Sequence, residues 1–354
     1  MRILDRYIVR TILGSVLMMA AVLLSLGALI TFIGEQNDIG SGGYSALGAL
    51  WFTLLRLPAF GFDLLPITAL MGALIGLGSL ARGSELTVIR ATGISVMQLA
   101  GVCLIAGLVL VGVGVVLGEF LGPTLQQAAR EHKAFTRFSN VSFGGGGAWV
   151  RDGDLILRVA GQSSKSQFGG MQTFELSPDH RLLALGQAQH ATAGAKGTWL
   201  LSDYSESRFA KDSVTRSGPG QRALKSNVTA AFLGLAIENP ELLTNRALWR
   251  LISYYRANSL DDREYVFAFW SRISRTVAIA FTVLLAIPFV LGSLRSAGTG
   301  ARMVMGLVLG IGFFLLQRLI ESGTIVFNLN PILLAWLPTA LLALVTVTLL
   351  ARAR

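Results

Sequence analysis

Hydropathy along this chain follows a fixed order: three long apolar runs, a polar stretch of strand-like sequence, then three more apolar runs. With 53% of its residues hydrophobic and a mean hydropathy of +0.60, the chain carries more apolar surface than one water-soluble core can bury. Lipid must therefore be the solvent for much of it. Residues 12–33, 64–81, 97–121, 273–291, 303–326 and 332–350 each approach the ~20 apolar residues that carry a helix across a ~30 Å hydrocarbon layer. The expected fold class is a membrane α-helical protein with six transmembrane helices, 3+3, around one inserted extramembrane domain. Residues 46–60 are also apolar, but Arg56, Pro58, Asp63 and Pro66 predict a tilted or broken entry into the second span.

Short-loop Lys and Arg set the orientation. Arg2, Arg6 and Arg10 precede the first span, Arg82 and Arg90 follow the second, Arg295 and Arg302 follow the fourth, and Arg352 and Arg354 follow the sixth. If six helices alternate, all of these lie on one side. The opposite short loops, residues 34–45 and 327–331, hold no Lys or Arg, although Glu35 and Asp38 are present. Both termini are therefore expected to be cytoplasmic and the insert outside. The first apolar run is too long for a cleavable signal peptide and meets Glu35 without an A-x-A site. The formal net charge of +10 is largely this positive-inside pattern, with the remainder scattered among acidic residues, so a nucleic-acid partner is not expected. The single cysteine, Cys103, falls within the third span, leaving the insert to fold without a disulfide.

Within the insert, residues 139–243, the period changes. Residues 149–150, 155–160, 171–176, 181–187 and 198–203 are short apolar or β-branched runs, and Leu155, Leu157 and Val159 alternate with Ile156 and Arg158. Turn signals punctuate them: Asp152-Gly153, Ser177-Pro178, residues 194–197 and Ser217-Gly218-Pro219-Gly220. The pattern predicts a β-sandwich or β-jelly-roll rather than a βαβ unit. Residues 144–147 read as a flexible glycine link, and from Pro240 to Tyr255 the pattern turns helical again. The domain boundaries are accordingly 1–138, 139–243 and 244–354.

Catalytic signatures are not found. No G-x-x-x-x-G-K-[ST] run occurs, so any ATP must be hydrolysed by another polypeptide. His132, His180 and His190 have no metal spacing, and no Ser/His/Asp set is gathered by the sequence. Glu119, Glu131 and His132 come nearest to the polar cluster that a lipid-modifying enzyme needs, and read as structural. After the second span, Ser84 can cap a short helix over about 84–93, with Glu85 in its first turn and Gly93 to end it. Leu86, Ile89 and Arg90 then share one face. From the residues alone this is equally a surface on which a motor pushes or an interfacial helix capping two spans. Arg318 and Glu321, three apart in the fifth span, can pair on one face. Arg272 and Arg275 are expected to snorkel at the outer interface.

Several motifs carry a resemblance along nearly the whole chain. They are Leu4-Asp5-Arg6-Tyr7-Ile8, Gly76-Leu77-Gly78-Ser79-Leu80-Ala81 leading into Ser84-Glu85-Leu86-Thr87-Val88-Ile89-Arg90-Ala91-Thr92-Gly93, Gly118-Glu119 with Pro123, and Pro288-Phe289-Val290-Leu291-Gly292-Ser293-Leu294-Arg295. Together they resemble the YjgP/YjgQ permeases, the membrane subunits of the lipopolysaccharide exporter. The opening motif and Gly118-Glu119 disfavour its LptF subunit. The resemblance implies a heterodimer with LptF in the Gram-negative inner membrane, driven by two copies of the cytoplasmic ATPase LptB, which binds ATP and Mg. This chain itself then carries no cofactor and is not an enzyme. Lipopolysaccharide would be extracted from the outer leaflet and handed through LptC to a periplasmic bridge, with the insert as a docking domain that extends by strand addition.

The same resemblance makes Ser84, Glu85, Leu86, Ile89 and Arg90 the ATPase-coupling segment, with Glu85 its key acidic contact. It implies that the first and fifth helices line lateral gates, where Arg318 and Glu321 would tune closure. Phosphates on an acylated sugar core call for an apolar cavity with cations at its rim; Arg130, Lys133 and Arg137 fit the rim. Leu26, Phe32 and Leu64 suit the cavity and suit helix packing equally. Where relatives carry lysines after the first helix, this chain has Glu35, Asn37 and Asp38, a departure that removes phosphate contacts there. A permease for another lipid or for lipoproteins shares the missing nucleotide site, but it is expected to have four spans and a different insert position.

Overall fold

A computed structural model describes residues 3–40, 44–137, 148–152, 154–164, 167–177, 181–193, 198–210, 213–225, 240, 243–258, 260–292, 298–326 and 329–353. The chain divides into two compact units, one of residues 1–133 with 262–354 and one of residues 134–261.

In the first unit, α1 (Ile3–Gly34) and α2 (Ala46–Arg82) are followed by the short α3 (Glu85–Ala91). Next come α4 (Val96–Val115), a π-helical segment (Val116–Leu121) and the start of α5 (Gly122–Arg137). Six helices among the described residues are long and apolar enough to cross a membrane, three before the strands in chain order and three after. The second runs unbroken from Ala46 through Pro58 and Pro66, so the broken entry expected at these prolines does not occur. Ser45 starts it, its hydroxyl accepting the Gly48 N–H. Pro58 lies just beyond the first three turns, and the helix stays whole because its neighbours pack against it closely. Ser95 opens α4 with a reciprocal capping box to Gln98.

The α1–α2 seam explains several small residues. Ile8, Ile12, Val16 and Met19 form one buried stripe on α1, spaced as a helix face requires. A Cβ on Gly72 would lie 2.5 Å from Val16 Cγ2 and 2.6 Å from its backbone nitrogen, so only glycine lets the two backbones approach this closely. Gly76 faces Ile12 and Ser15 in the same way. In α2 78% of the apolar window is buried, whereas in α1 only 17% is.

The carboxyl-terminal helices of this unit are α7 (Arg263–Leu291), α8 (Thr299–Val326) and α9 (Pro331–Arg352), α6 belonging to the other unit. Asn330 caps α9, its side-chain oxygen accepting from Ile332 N, with Pro331 at the first helical position. Between α7 and α9, the Ser274 hydroxyl donates to Thr339 Oγ1 at 2.7 Å, and Thr339 donates to the Ser274 carbonyl. Cys103 is fully buried in the core that α4 shares with α2 and α7.

The second unit holds β1 (Ala148–Asp152), β2 (Leu155–Ser164), β3 (Gln167–Leu176), β4 (Leu182–Ala193), β5 (Thr198–Phe209), β6 (Val214–Lys225) and α6 (Asn245–Ala257). All strands pair antiparallel with their chain neighbours, in the order β1-β2-β3-β4-β5-β6. Among the described residues this is one up-and-down meander. Leu157 and Val159 point inward as their alternation predicts, packing with Phe168, Met171, Trp199 and Leu201. Arg158, on the opposite face, stacks over Trp149.

The reading of Ser217-Gly218-Pro219-Gly220 as a turn is corrected: these residues lie inside β6. The strand is at the edge of the described sheet, where a proline without an N–H is tolerated, and the register shifts around Tyr204 mark a bulge opposite it. Residues 144–147, read as a glycine link, and His180 lie outside the described residues.

Candidate functional site

Polar groups in a membrane helix are costly unless they meet other polar groups, so the chemistry of the first unit is found where such groups gather. Among the described residues three clusters form, one at each end of the helices and one between them.

The first lies after α1. A single 3-10 turn, Gln36–Asp38, brings Glu35 and Asp38 together, and the Lys133 ammonium from α5 sits 2.7 Å from Glu35 Oε2 and 2.8 Å from Asp38 Oδ2. The Tyr44 hydroxyl donates to the same Glu35 oxygen at 3.0 Å. Tyr44 and Glu35 are 1% and 7% exposed. The ammonium also lies 5.0 Å from the Phe52 ring centroid and 5.9 Å from that of Tyr44, a favourable cation–π placement. Thus Lys133, expected at an open phosphate rim, is held by the acidic residues that stand where lysines were expected. Arg130 lies half-buried on α5 one turn earlier. Arg137 ends α5, but its side chain lies outside the described residues.

The second cluster lies between α2, the π segment and α7. Arg275 donates to Asp63 Oδ1 at 2.7 Å, and Arg272 pairs with Glu119 Oε2 at 3.7 Å. Both arginines, expected to snorkel at the outer interface, thus each meet an acid on another helix. Their side chains are 11% and 21% exposed, with Glu119 beside Arg272 at 23% and Asp63 beside Arg275 at 48%. Gly118 has a specific part here. A Cβ on it would lie 2.7 Å from the Phe62 ring, and the Arg275 guanidinium lies 5.9 Å from the centroid of that ring. The wider π turn carries Glu119 in this segment, as such turns often do at functional positions.

The third cluster surrounds α3. Glu85 is exposed in its first turn, and the Tyr7 hydroxyl from α1 donates to Glu85 Oε2 at 2.9 Å. Ser84 precedes the helix but does not cap it through its side chain: φ of +59° places it in the left-handed region, where the hydroxyl makes no capping bond. Gly93, with φ of +94°, follows the helix end, a conformation that costs glycine nothing. Leu86 and Ile89 are 3% and 7% exposed. They pack into the same core as Ile8, Val9 and Ile12 of α1, so the apolar face of α3 is turned inward. Glu85, Thr87, Val88, Arg90 and Ala91 are exposed on its outward side.

Leu26 is exposed on α1 and Phe32 half-buried; Leu64 packs against Met19, Ile67 and Met71. These three form no common cluster. Arg318 is exposed on α8, while the side chain of Glu321 lies outside the described residues. Among the described residues, no group of three or more His, Cys, Asp or Glu is placed to hold a metal ion.

Sequence reasoning missed Tyr7, Tyr44 and the partnership of Asp63 with Arg275. The charges within the apolar spans were the available signal for the last, but a pairing across 212 positions needs the helix arrangement. Tyr7 was legible only as part of the opening Leu4-Asp5-Arg6-Tyr7-Ile8 motif, with nothing to tie it to Glu85, and Tyr44 carried no signal of its own.

The profile of the family described as "Lipopolysaccharide export system permease LptF/LptG" matches residues 6–352. Over 358 residues the chain is 32% identical to "Lipopolysaccharide export system permease protein LptG" of Escherichia coli strain K12, spanning 99% of this chain and 98% of that protein. Over 354 residues it is 29% identical to the LptG protein of Haemophilus influenzae, with 99% of each covered.

Proposed function

Because this chain belongs to the LptF/LptG family of lipopolysaccharide export permeases, we propose that it is a transmembrane subunit of an ABC transporter that extracts lipopolysaccharide from the inner membrane and passes it toward a periplasmic bridge. Family membership over residues 6–352 is the observation that carries this reading. It is a permease subunit, and ATP with Mg is bound and hydrolysed by a separate cytoplasmic chain, LptB. LptF is its heterodimer partner, and LptC receives the lipid. Both termini face the cytoplasm, following the Lys and Arg distribution. The strand-bearing insert is a periplasmic β domain between two transmembrane halves. The antiparallel meander supports a β docking domain that adds strands at its edge.

Helices α1 and α8 are the first and fifth spans. Only 17% of each apolar window is buried within the chain, against 78% and 61% for the second and fourth. Such faces suit contact with a partner subunit or with passing lipid, and support a gate role, with Arg318 and Glu321 on α8.

Coupling runs through α3. Glu85, Val88 and Arg90 meet the ATPase, while Leu86 and Ile89, packed with the foot of α1, transmit its movement to the first span. Ser84 sets the entry of α3. Arg130, Lys133 and Arg137 take lipid phosphates, and Leu26, Phe32 and Leu64 face acyl chains.

The test is ATP-dependent release of lipopolysaccharide from proteoliposomes holding the assembled transporter, wild type and Glu85→Lys. Release by the wild type, and its loss in a variant that still assembles, is the expected result. An assembled wild type that hydrolyses ATP without releasing lipopolysaccharide refutes the reading.

A further inference from the structure

We propose that Tyr7 is a positioning residue for the coupling contact: its hydroxyl, at the foot of α1, fixes the Glu85 carboxylate of α3 in the direction in which the ATPase grips it. The inference rests on the reading of α3 as the ATPase-coupling segment and deepens it by naming a residue outside that segment on which the contact depends.

The backbone beneath Glu85 is set first. Only Gly83 and Ser84 separate α2 from α3, and their turn is closed by bonds from the Gly83 N–H to the Ser79 carbonyl at 3.0 Å and from the Ser84 N–H to the Ala81 carbonyl at 3.2 Å. Leu86 and Ile89 then seat α3 in the core that holds Ile8, Val9 and Ile12 of α1. What this leaves free is the Glu85 side chain, exposed in the first turn. Two contacts take that freedom away. Tyr7, next to the buried Ile8, is 45% exposed, and its hydroxyl donates to Glu85 Oε2 at 2.9 Å. The other oxygen, Oε1, lies over Gly83, 3.4 Å from the place a Cβ would take there. Among the described residues Glu85 makes no ion pair, so the tyrosine is what orients the carboxylate.

The bond has the properties that positioning requires. A hydroxyl donating to a carboxylate makes one of the stronger hydrogen bonds, yet it brings no charge and takes one of about four acceptor positions. The charge is not cancelled, and the remaining positions are left for a donor on the ATPase. A glutamate loses much side-chain freedom when it is fixed. A contact whose side chain is ordered in advance does not bear that loss at docking. Among the described residues the hydroxyl has no other partner, so phenylalanine at this position removes the bond and keeps the ring.

The experiment follows labelled ATPase leaving the assembled, detergent-purified transporter under a chase of unlabelled ATPase, since affinity differences at one interface reside mostly in the dissociation rate. The complexes are wild type, Tyr7→Phe, Glu85→Ala and the double variant Tyr7→Phe/Glu85→Ala. Tyr7→Phe is expected to speed dissociation about threefold to tenfold. In the Glu85→Ala background, where no carboxylate remains to be held, the same change should add nothing; a hydroxyl that merely stabilised the foot of α1 would keep its effect there. Unchanged dissociation of Tyr7→Phe overturns the inference, as does an acceleration that persists without Glu85. Slower dissociation overturns it too, because the hydroxyl would then be competing with the ATPase for the carboxylate. A Glu85→Ala complex that releases the ATPase no faster than the wild type is a different failure, since it removes the coupling reading beneath the inference.

Discussion

Replacing Gly72 with alanine puts one methyl group into the tightest part of the α1–α2 seam. Its carbon would lie 2.5 Å from Val16 Cγ2 and 2.6 Å from the Val16 backbone nitrogen, whereas comfortable contacts fall at about 3.5–4.0 Å. The side chain can rotate, but the nitrogen belongs to the helix itself, so α1 and α2 must part by roughly 1 Å. Overpacking of this kind costs about 1–3 kcal/mol. Close approach through small residues is a main source of helix association in lipid, which argues for the upper half of that range. A unit of this size loses about 2–4 °C of Tm per kcal/mol, giving an expected fall of roughly 4–12 °C. Cys103 supplies the assay: as the sole cysteine and fully buried in the same core, it reacts with a thiol dye only when that core opens. Labelling against temperature, read on the gel band of this chain, gives the midpoint. Gly101→Ala is the control, since nothing lies within 4 Å of a Cβ there. If Gly72→Ala and Gly101→Ala melt together, the close packing of α1 on α2 and the account of Gly72 are both wrong.

Two further outcomes follow from the other units of packing. Asp63→Asn leaves Arg275 beside Arg272 without its acid, so it should lower Tm more than the double variant Asp63→Asn/Arg275→Gln; the cycle should give a coupling of about 0.5–1 kcal/mol, and a coupling of zero removes the pair from the structural argument. In the sheet, a methyl group on Gly186 would collide with the Thr173 and Tyr204 hydroxyls, which are hydrogen-bonded to each other at 3.1 Å. Gly186→Ala should therefore reduce amide exchange protection at least tenfold along β4 and β5, about 1.4 kcal/mol of local stability, whereas unchanged protection there would show that the tyrosine does not cross this glycine.

Local signals made the spans and the strands legible. A run of apolar residues long enough to cross lipid announces itself without its neighbours, and so does the alternation of Leu155, Leu157 and Val159, because helix and strand each impose a period on a few consecutive residues. Wherever two readings of a local signal were available, it failed. Ser217-Gly218-Pro219-Gly220 has turn chemistry but lies in β6, since an edge strand has no use for the missing proline N–H. Pro58 and Pro66 read as helix breakers and stand within an unbroken α2, where packing on most of its surface outweighs a lost backbone bond.

The sequence by itself determined that this chain lives in lipid, with six apolar helices and a β insert. It also placed Glu85 in the first turn of a short helix between spans. Only the tertiary structure decided what each charge does. Lys133 looked like a waiting cation until Glu35 and Asp38 were found around it; the acids that meet Arg272 and Arg275, Glu119 and Asp63, stand on other helices; Leu86 and Ile89 looked like a docking face until they were found in the chain's own core. The physical reason is the same in each case. Hydrophobicity is a property of a residue and sums along the chain, whereas an ion pair or a buried face is a relation between positions far apart in sequence. That relation exists only once the helices have been set side by side.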